Sequence, residues 1–265
     1  MTNKNDIVRV MIGYDPNETV ALYTLMHSII SRASRPVAIT PIVLSQTPLT
    51  RPKAEFQSTE FSFSRFLVPW MCGYEGKAIF LDSDIICLAD IAELWDMPMD
   101  RTVACVKHNY QPNMENKFLN QPQSNYPKKN WSSVMVFNNE QCKQLTPDRV
   151  NHATGAYLHQ FQWVEYGDVS EYSMIGSLPK VWNVLIGEEN QAPLKDAKLI
   201  HYTQGTPCFA AYSQCTGANL WRQERDKMTY HNPVGEYHAK ASDAGEPNRN
   251  SGGTPYPTYG YESQR

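Results

Sequence analysis

The chain has 265 residues, of which 41% are hydrophobic, so it is long enough to bury the core of one large α/β domain or two small ones. Its formal net charge of -3 excludes the broad positive potential that binds nucleic acids or anionic membranes. The six cysteines form no Cys-X-X-Cys pair, and the polar N-terminus has no apolar core of a secretory signal. We therefore expect a cytoplasmic protein with no transmembrane segment and no nucleic-acid partner.

The first half of the chain alternates between short apolar runs and helical patterns. The patterns predict strands over residues 7–12, 37–44, 77–81 and 102–107, and helices after Asn17, over 61–72 and over 90–95. We expect Asn17 to cap the first helix, Gly73 to stop the second unless Pro69 kinks or ends it earlier, and Pro41 to place its strand at a sheet edge or in a bulge. This alternation is typical of a mostly parallel sheet with helices on both faces, in which ligands bind beyond the carboxyl ends of the strands.

The second half carries longer polar stretches. Residues 111–129 are rich in Asn, Gln and Pro and predict a surface loop, whereas strands are predicted over 132–137 and 197–203. Helices are predicted to start at Thr146-Pro147 and to cover residues 217–228. We expect one domain over residues 1–230, followed by a Pro-, Gly-, Ser- and Tyr-rich tail over 231–265 with little packed structure.

An acidic triplet, Asp82-Ser83-Asp84, interrupts the apolar segment of residues 78–88. Because side chains alternate faces along an extended chain, Asp82 and Asp84 point to the same side and can address one cation. Two carboxylates this close in an apolar segment repel each other unless a cation compensates them. Mg²⁺ and Mn²⁺ prefer such oxygen ligands. The triplet therefore predicts a divalent metal site after the third strand, with an ordinary turn as the alternative.

The segment of residues 65–95 resembles family 8 of the retaining glycosyltransferases, the group that includes glycogenin and bacterial galactosyltransferases. Three further segments resemble that family in the same order, and they cover residues 8–15, 131–138 and 199–207. The resemblance implies a GT-A fold, which is an α/β fold with a Rossmann-like, mostly parallel sheet. It also implies Mn²⁺ (or Mg²⁺) as cofactor, a nucleotide-sugar donor that is usually UDP-linked, and transfer with retention to a carbohydrate, lipid or protein acceptor.

The resemblance also implies a role for individual residues. Asp82 and Asp84 would bind the metal, with His201 as the third protein ligand, and Asp82 would lie near the donor ribose. The other residues that the resemblance places at the donor are Tyr14 and Asp15 at the base and ribose, Arg65 near the sugar or diphosphate, Ser83 within the triplet, and Gly205 at the diphosphate.

The sequence departs from the family pattern in three places. The lysine that usually precedes the late proline is Thr206, and that motif is one residue short. The middle strand has the residues 131–133, Trp-Ser-Ser, where the family has an Asn-Ser-Gly core. The family's Asp-Gln motif has no clean counterpart, and Asp168 and Glu171 are the candidates for its catalytic position.

The residues alone leave other interpretations open. His201 is also typical of a hydrogen-bonded core histidine, Asp15 of a turn, and Arg65 of a surface cation on a helix. We interpret Trp182-Asn183 as a structural segment, with Trp182 in the core. The altered motifs leave open a non-catalytic nucleotide-sugar binding protein. A sugar nucleotidyltransferase is a further alternative, which the acidic loop of residues 13–19 with its single glycine disfavours.

Overall fold

The computed structural model describes residues 7–53, 59–109, 116–117, 121–122, 127–164, 174–189 and 191–229. The strands are β1 (Val8–Gly13), β2 (Val37–Ile42), β3 (Lys77–Leu81), β4 (Ile85–Cys87), β5 (Val103–Cys105), β6 (Asn116–Lys117), β7 (Gln121–Pro122), β8 (Val134–Asn138), β9 (Ile175–Ser177), β10 (Val184–Leu185) and β11 (Leu199–His201). The α-helices are α1 (Thr19–Ile30), α2 (Val68–Met71), α3 (Ile91–Trp95), α4 (Pro147–His152), α5 (Gly155–His159) and α6 (Ala218–Thr229).

The central sheet has the strand order β2-β1-β3-β8-β5-β9. Strand β1 pairs in parallel with β2 and β3, and β5 pairs in parallel with β9, whereas β8 is antiparallel to its neighbours β3 and β5. The predicted mostly parallel α/β sheet is therefore confirmed. Strand β2 lies at an edge, as Pro41 predicted, because proline has no backbone N–H to donate to a further strand.

Apolar clusters cover both faces of this sheet. On one face Leu22, Leu25 and Ile29 of α1 are buried against β1 and β3, and on the other face an aromatic cluster contains Phe61, Phe66, Phe137 and Trp163. Alternate residues of β3 belong to the two clusters, with Ile79 and Leu81 on the α1 face and Ala78 and Phe80 on the aromatic face. Burial of each large apolar side chain contributes about 1.5–3 kcal/mol to the stability of the fold. Packing on both faces therefore holds β3 in place.

A second, three-stranded sheet with the order β10-β11-β4 was not predicted. Strand β4 follows the acidic triplet and pairs antiparallel with β11, so that Ile85 lies opposite His201. Strand β11 in turn pairs in parallel with β10. The second sheet therefore joins the triplet to a strand that is far away in the chain.

Two details of the predicted helices are wrong. Asn17 is not the cap, because Asp15 accepts a hydrogen bond from the Asn17 backbone N–H at 2.9 Å and starts a 3₁₀ turn that precedes α1. The predicted helix over residues 61–72 is divided into a 3₁₀ turn, Ser64–Leu67, and the short α2. Gly73 does end this helical segment, with a left-handed φ of 65°.

Several predictions lie outside the described residues. They concern most of the loop over 111–129, the candidates Asp168 and Glu171, and the tail over 231–265. Among the residues that are described, no helix combines the length and the apolar character that crossing a membrane requires.

Candidate metal centre

The acidic triplet forms the turn between β3 and β4, at the carboxyl edge of the central sheet. The Asp82 backbone N–H donates to the Ser133 carbonyl at 3.0 Å, which extends the β3–β8 pairing by one residue. The alternation of β3 continues into the turn, because Asp82 contacts Arg65 from the aromatic face whereas Ser83 contacts Glu18 beside α1. The fold therefore directs the middle residue of the triplet away from its first carboxylate.

His201 ends β11 and brings an imidazole to the triplet. Its Nε2 lies 3.1 Å from Oδ1 of Asp84. Ligand atoms of Asp82, Asp84 and His201 all lie within 4.8 Å of one another. Backbone contacts hold the two segments together, since the Tyr202 N–H donates to the Asp84 carbonyl at 2.9 Å. The structure thus brings together the three residues that the resemblance assigned to a metal.

Asn183 orients the His201 ring. The Asn183 amide donates to Oγ of Ser133 at 2.9 Å, so its Oδ1 is the atom that faces His201 Nδ1 at 3.0 Å. This network assigns the proton of the neutral ring to Nδ1. Nε2 is then free to coordinate a cation, which is the arrangement found for most metal-binding histidines.

The donor set fits a divalent cation. Oδ1 of Asp82 and Oδ1 of Asp84 are buried and accept no hydrogen bond of good geometry, although Arg65 lies 2.9 Å from the first and His201 Nε2 lies 3.1 Å from the second. Buried acceptors without such partners are costly, and a bound cation would satisfy both. Two carboxylates with one imidazole suit Mn²⁺ or Mg²⁺, which bind mainly through oxygen.

The charges of the site shift the pKa values of its residues. Burial raises the pKa of Asp82 to about 6, although Arg65 opposes this shift, and the neighbouring Asp84 raises it further. Burial alone would lower the pKa of His201, but the attraction of Asp84 and Asp82 outweighs it and the pKa is raised. Both shifts reflect two buried carboxylates that lie close together, and a bound cation would relieve their repulsion.

Arg65 is a buried residue, so its interpretation as a surface cation is wrong. Its Nη1 lies 2.9 Å from Asp82 Oδ1 and donates to the Ser132 carbonyl at 2.9 Å. The guanidinium also lies 5.2 Å from the ring centroids of Phe61 and Phe80. Arg65 therefore balances part of the Asp82 charge, and its contact with a donor stays a prediction.

The remaining predicted donor residues have structural contacts of their own. The Asp15 carboxylate is buried and accepts from the Asn17 and Glu60 backbone N–H groups, which confirms its role in a turn. Tyr14 makes a 3.2 Å hydroxyl contact with Thr19. Gly205 has a φ of 147°, and a Cβ there would lie 2.2 Å from the Tyr212 ring, so only glycine fits. Donor contacts at these three positions stay predictions.

Three residues near the site were missed. Glu18 is buried, and burial together with Asp84 and Asp15 raises its pKa well above the usual range. Asn183 was interpreted only as part of a structural segment. His108 is buried with an unpartnered Nε2, and burial, His201 and Lys180 lower its pKa to about 3. His108 follows β5 at the carboxyl edge of the sheet, and this position could have identified it.

A metal-binding donor set at the carboxyl edge of this sheet is the arrangement of the GT-A class of glycosyltransferases. Residues 26–206 match the sequence profile described as Glycosyl transferase family 8. The match covers more than half of the chain. The chain therefore belongs to glycosyl transferase family 8 and is a glycosyltransferase.

Individual proteins resemble the chain in sequence or in fold. Protein CDI of Arabidopsis thaliana is 42% identical over 234 residues, which cover 84% of this chain and 88% of that protein. The structure resembles the bifunctional WbbM with a TM-score of 0.60 and 18% identity, over 89% of this chain. It resembles GlyE of Streptococcus pneumoniae TIGR4 with a TM-score of 0.51 and 15% identity, also over 89%. The chain spans 52% of WbbM and 64% of GlyE, and these two likenesses show the GT-A fold.

Proposed function

We propose that this glycosyltransferase is metal-dependent and transfers a sugar from a UDP-sugar to an acceptor hydroxyl, with retention of configuration. The observation that carries the proposal is the cluster of Asp82, Asp84 and His201 at the carboxyl edge of the sheet. Membership of family 8 supports the sugar transfer, and the donor set supports the metal. The six free cysteines favour a reducing compartment, and we propose the cytoplasm.

The three clustered side chains would hold Mn²⁺ or Mg²⁺. When bound, this ion would act as a Lewis acid and neutralise the charge that develops on the departing diphosphate. The Asn183 amide keeps His201 in the orientation that presents Nε2. Arg65 keeps Asp82 in place by its ion pair and, through the Ser132 carbonyl, ties it to the 3₁₀ turn that precedes β8. These contacts fix the site before a donor arrives, and such preorganisation lowers the barrier to transfer.

Retention fits an attack of the acceptor hydroxyl on the face from which the diphosphate leaves. The leaving diphosphate then takes the proton of that hydroxyl, and the anomeric carbon passes through an oxocarbenium-like state. Asp168 and Glu171 stay the proposed residues near the reacting carbon. The acceptor is a carbohydrate, lipid or protein hydroxyl.

A donor screen by thermal shift tests the proposal, with UDP- and GDP-sugars in the presence of Mn²⁺ or of a chelator. A ligand that binds only the native state raises the melting temperature by mass action. At 100 times the dissociation constant, we expect an increase of about 5–10 °C for a chain of this size. The increase should require Mn²⁺ and be largest for one UDP-sugar.

The matched variants are the double replacement Asp82→Asn, Asp84→Asn and the control Asp96→Asn. Asp96 is a half-exposed carboxylate that pairs with Arg35 away from the site, so its replacement should keep the shift. The double replacement should abolish the shift. The absence of a shift with every donor would contradict the proposed metal site. A shift that survives the double replacement would contradict it as well.

A further inference from the structure

Glu18 lies immediately before α1 and is 2% exposed. Its Oε2 accepts a hydrogen bond from the Ser83 hydroxyl at 3.3 Å, and its Oε1 accepts one from the Thr206 hydroxyl at 3.3 Å. The single carboxylate therefore joins the loop before α1 to the acidic triplet and to the segment that follows β11.

These two bonds reach both parts of the chain that carry the clustered side chains. Ser83 separates Asp82 from Asp84 and points to the opposite side of the turn, so a bond to its hydroxyl fixes the rotation of the whole triplet. Thr206 follows His201 in the next turn, which a bond from the Gly205 N–H to the Tyr202 carbonyl closes at 2.8 Å. Glu18 is thus placed to set the distance between the two carboxylates and the imidazole.

The surroundings of Glu18 make a purely stabilising role unfavourable. In the part of the chain that the structure describes, no cationic side chain forms an ion pair with it, and the Asp84 and Asp15 carboxylates repel its charge. Burying a carboxyl group without a cation is costly, and neutral hydroxyl donors recover only part of that cost. A residue kept at this cost beside a metal site points to a role in that site.

We propose that Glu18 is a positioning residue for the metal, which holds the triplet and the segment after His201 at the separation that a cation requires. The inference rests on the proposed metal dependence. It also gives a role to Thr206, the position at which the family resemblance led us to expect a lysine. Here this side chain donates to Glu18 instead.

A titration of the full chain with Mn²⁺ alone tests the inference. Electron paramagnetic resonance measures the free Mn²⁺ at each point. Partners that orient metal ligands typically change metal affinity 10–100-fold. We expect Glu18→Ala to weaken Mn²⁺ binding by about this factor. Glu18→Gln removes the same charge but keeps one amide oxygen, which can accept a hydrogen bond from a hydroxyl. It should therefore lose less Mn²⁺ affinity than Glu18→Ala.

The control Glu224→Gln makes the same change at a buried glutamate in α6. It should lower the melting temperature without changing Mn²⁺ affinity. If Glu18→Ala does not fold, Thr206→Val removes one of the two hydrogen bonds while keeping a similar shape, and we expect about a several-fold loss of Mn²⁺ affinity.

Three results would overturn the inference, and they differ from one another. Unchanged Mn²⁺ affinity in folded Glu18→Ala would show that the residue does not act on the site. Equal losses in Glu18→Ala and Glu18→Gln would assign the effect to charge alone. Wild-type protein that binds no Mn²⁺ would contradict the proposed function itself, and the inference would fall with it.

Discussion

Two buried glutamates lie in opposite electrostatic settings. Between α1 and α6, Glu224 accepts from both terminal nitrogens of Arg32, at 2.8 and 2.6 Å, and from Lys227 at 2.8 Å. Beside the triplet, Glu18 accepts only from the hydroxyls of Ser83 and Thr206. Burial tends to raise the pKa of both glutamates. At Glu224 the hydrogen bonds and charges of Arg32 and Lys227 outweigh burial and lower the pKa, whereas the pKa of Glu18 is raised.

The difference separates a glutamate that serves the stability of a helix interface from one that lies at the candidate metal site. The helix interface supplies its own cations and needs nothing from solution. Glu18 instead faces the charges of two further carboxylates, Asp15 after β1 and Asp84 in the triplet, while Arg65 pairs with Asp82. We infer that the uncompensated region is the one that takes an external cation, and the following variants test this contrast.

The largest effect is expected for His201→Ala. Loss of one of three protein ligands should weaken Mn²⁺ binding by at least about 100-fold, beyond the effect of losing an orienting partner. Stability should also fall, because the replacement removes a buried partner of Asp84 and leaves the two carboxylates with less compensating charge. Mn²⁺ titration and thermal melting measure the two effects. Retained Mn²⁺ affinity would show that His201 is a hydrogen-bonded core histidine and not a metal ligand.

Glu224→Ala tests the opposite region. Removing one partner of a buried ion pair leaves Arg32 uncompensated, and we expect a loss of about 2 kcal/mol in the free energy of unfolding. The loss is below the range for fully buried pairs because 23% of the Arg32 side chain remains exposed. Urea unfolding gives the value. Mn²⁺ affinity that fell in parallel would refute the separation of the two regions.

Asn183→Ala removes the group that orients His201 while leaving all three ligands in place. We expect Mn²⁺ affinity to fall about 10-fold, less than for His201→Ala, because the ring can still coordinate after it reorients. The comparison of the two dissociation constants is the measurement. If Asn183→Ala and wild type bind Mn²⁺ equally, the 3.0 Å contact between the two side chains serves packing alone.

The smallest effect is the pH dependence of the Glu224 ion pair. Because the pKa of Glu224 is lowered from 4.5 on folding, its contribution is complete above the unfolded value and is lost as the pH falls through the folded value. The stability difference between wild type and Glu224→Gln should be on the order of 1 kcal/mol at pH 7. It should shrink below about pH 4.5. A difference that stays constant from pH 7 to pH 3 would exclude this ion pair as its source.

Local patterns predicted much of the fold and half of the site. The apolar run before Asp82 predicted β3, and the alternation of side chains correctly placed Asp82 and Asp84 apart from Ser83. The Thr146-Pro147 signal marked the start of α4, where the Thr146 hydroxyl accepts from the Arg149 N–H at 3.1 Å. These features depend on neighbours in the chain, which a sequence displays directly.

Contacts between distant segments were not predictable in this way. The pairing of β4 with β11 brings His201 to Asp84, and only the family resemblance suggested it. Glu18 and Asn183 act through hydrogen bonds to residues that the second sheet or the β1 loop brings near, and no periodicity marks them. The predicted cap of α1 failed for a local reason, because Asp15 caps a 3₁₀ turn before α1 and Asn17 lies inside that turn.

The most direct test of the central claim is a crystal structure with Mn²⁺ and UDP, with data collected at the manganese absorption edge. We predict an anomalous peak within bonding distance of a carboxylate oxygen of Asp82, a carboxylate oxygen of Asp84 and Nε2 of His201, with the diphosphate on the same ion. Bound UDP with no anomalous peak among these three side chains, or with manganese elsewhere, would contradict the account.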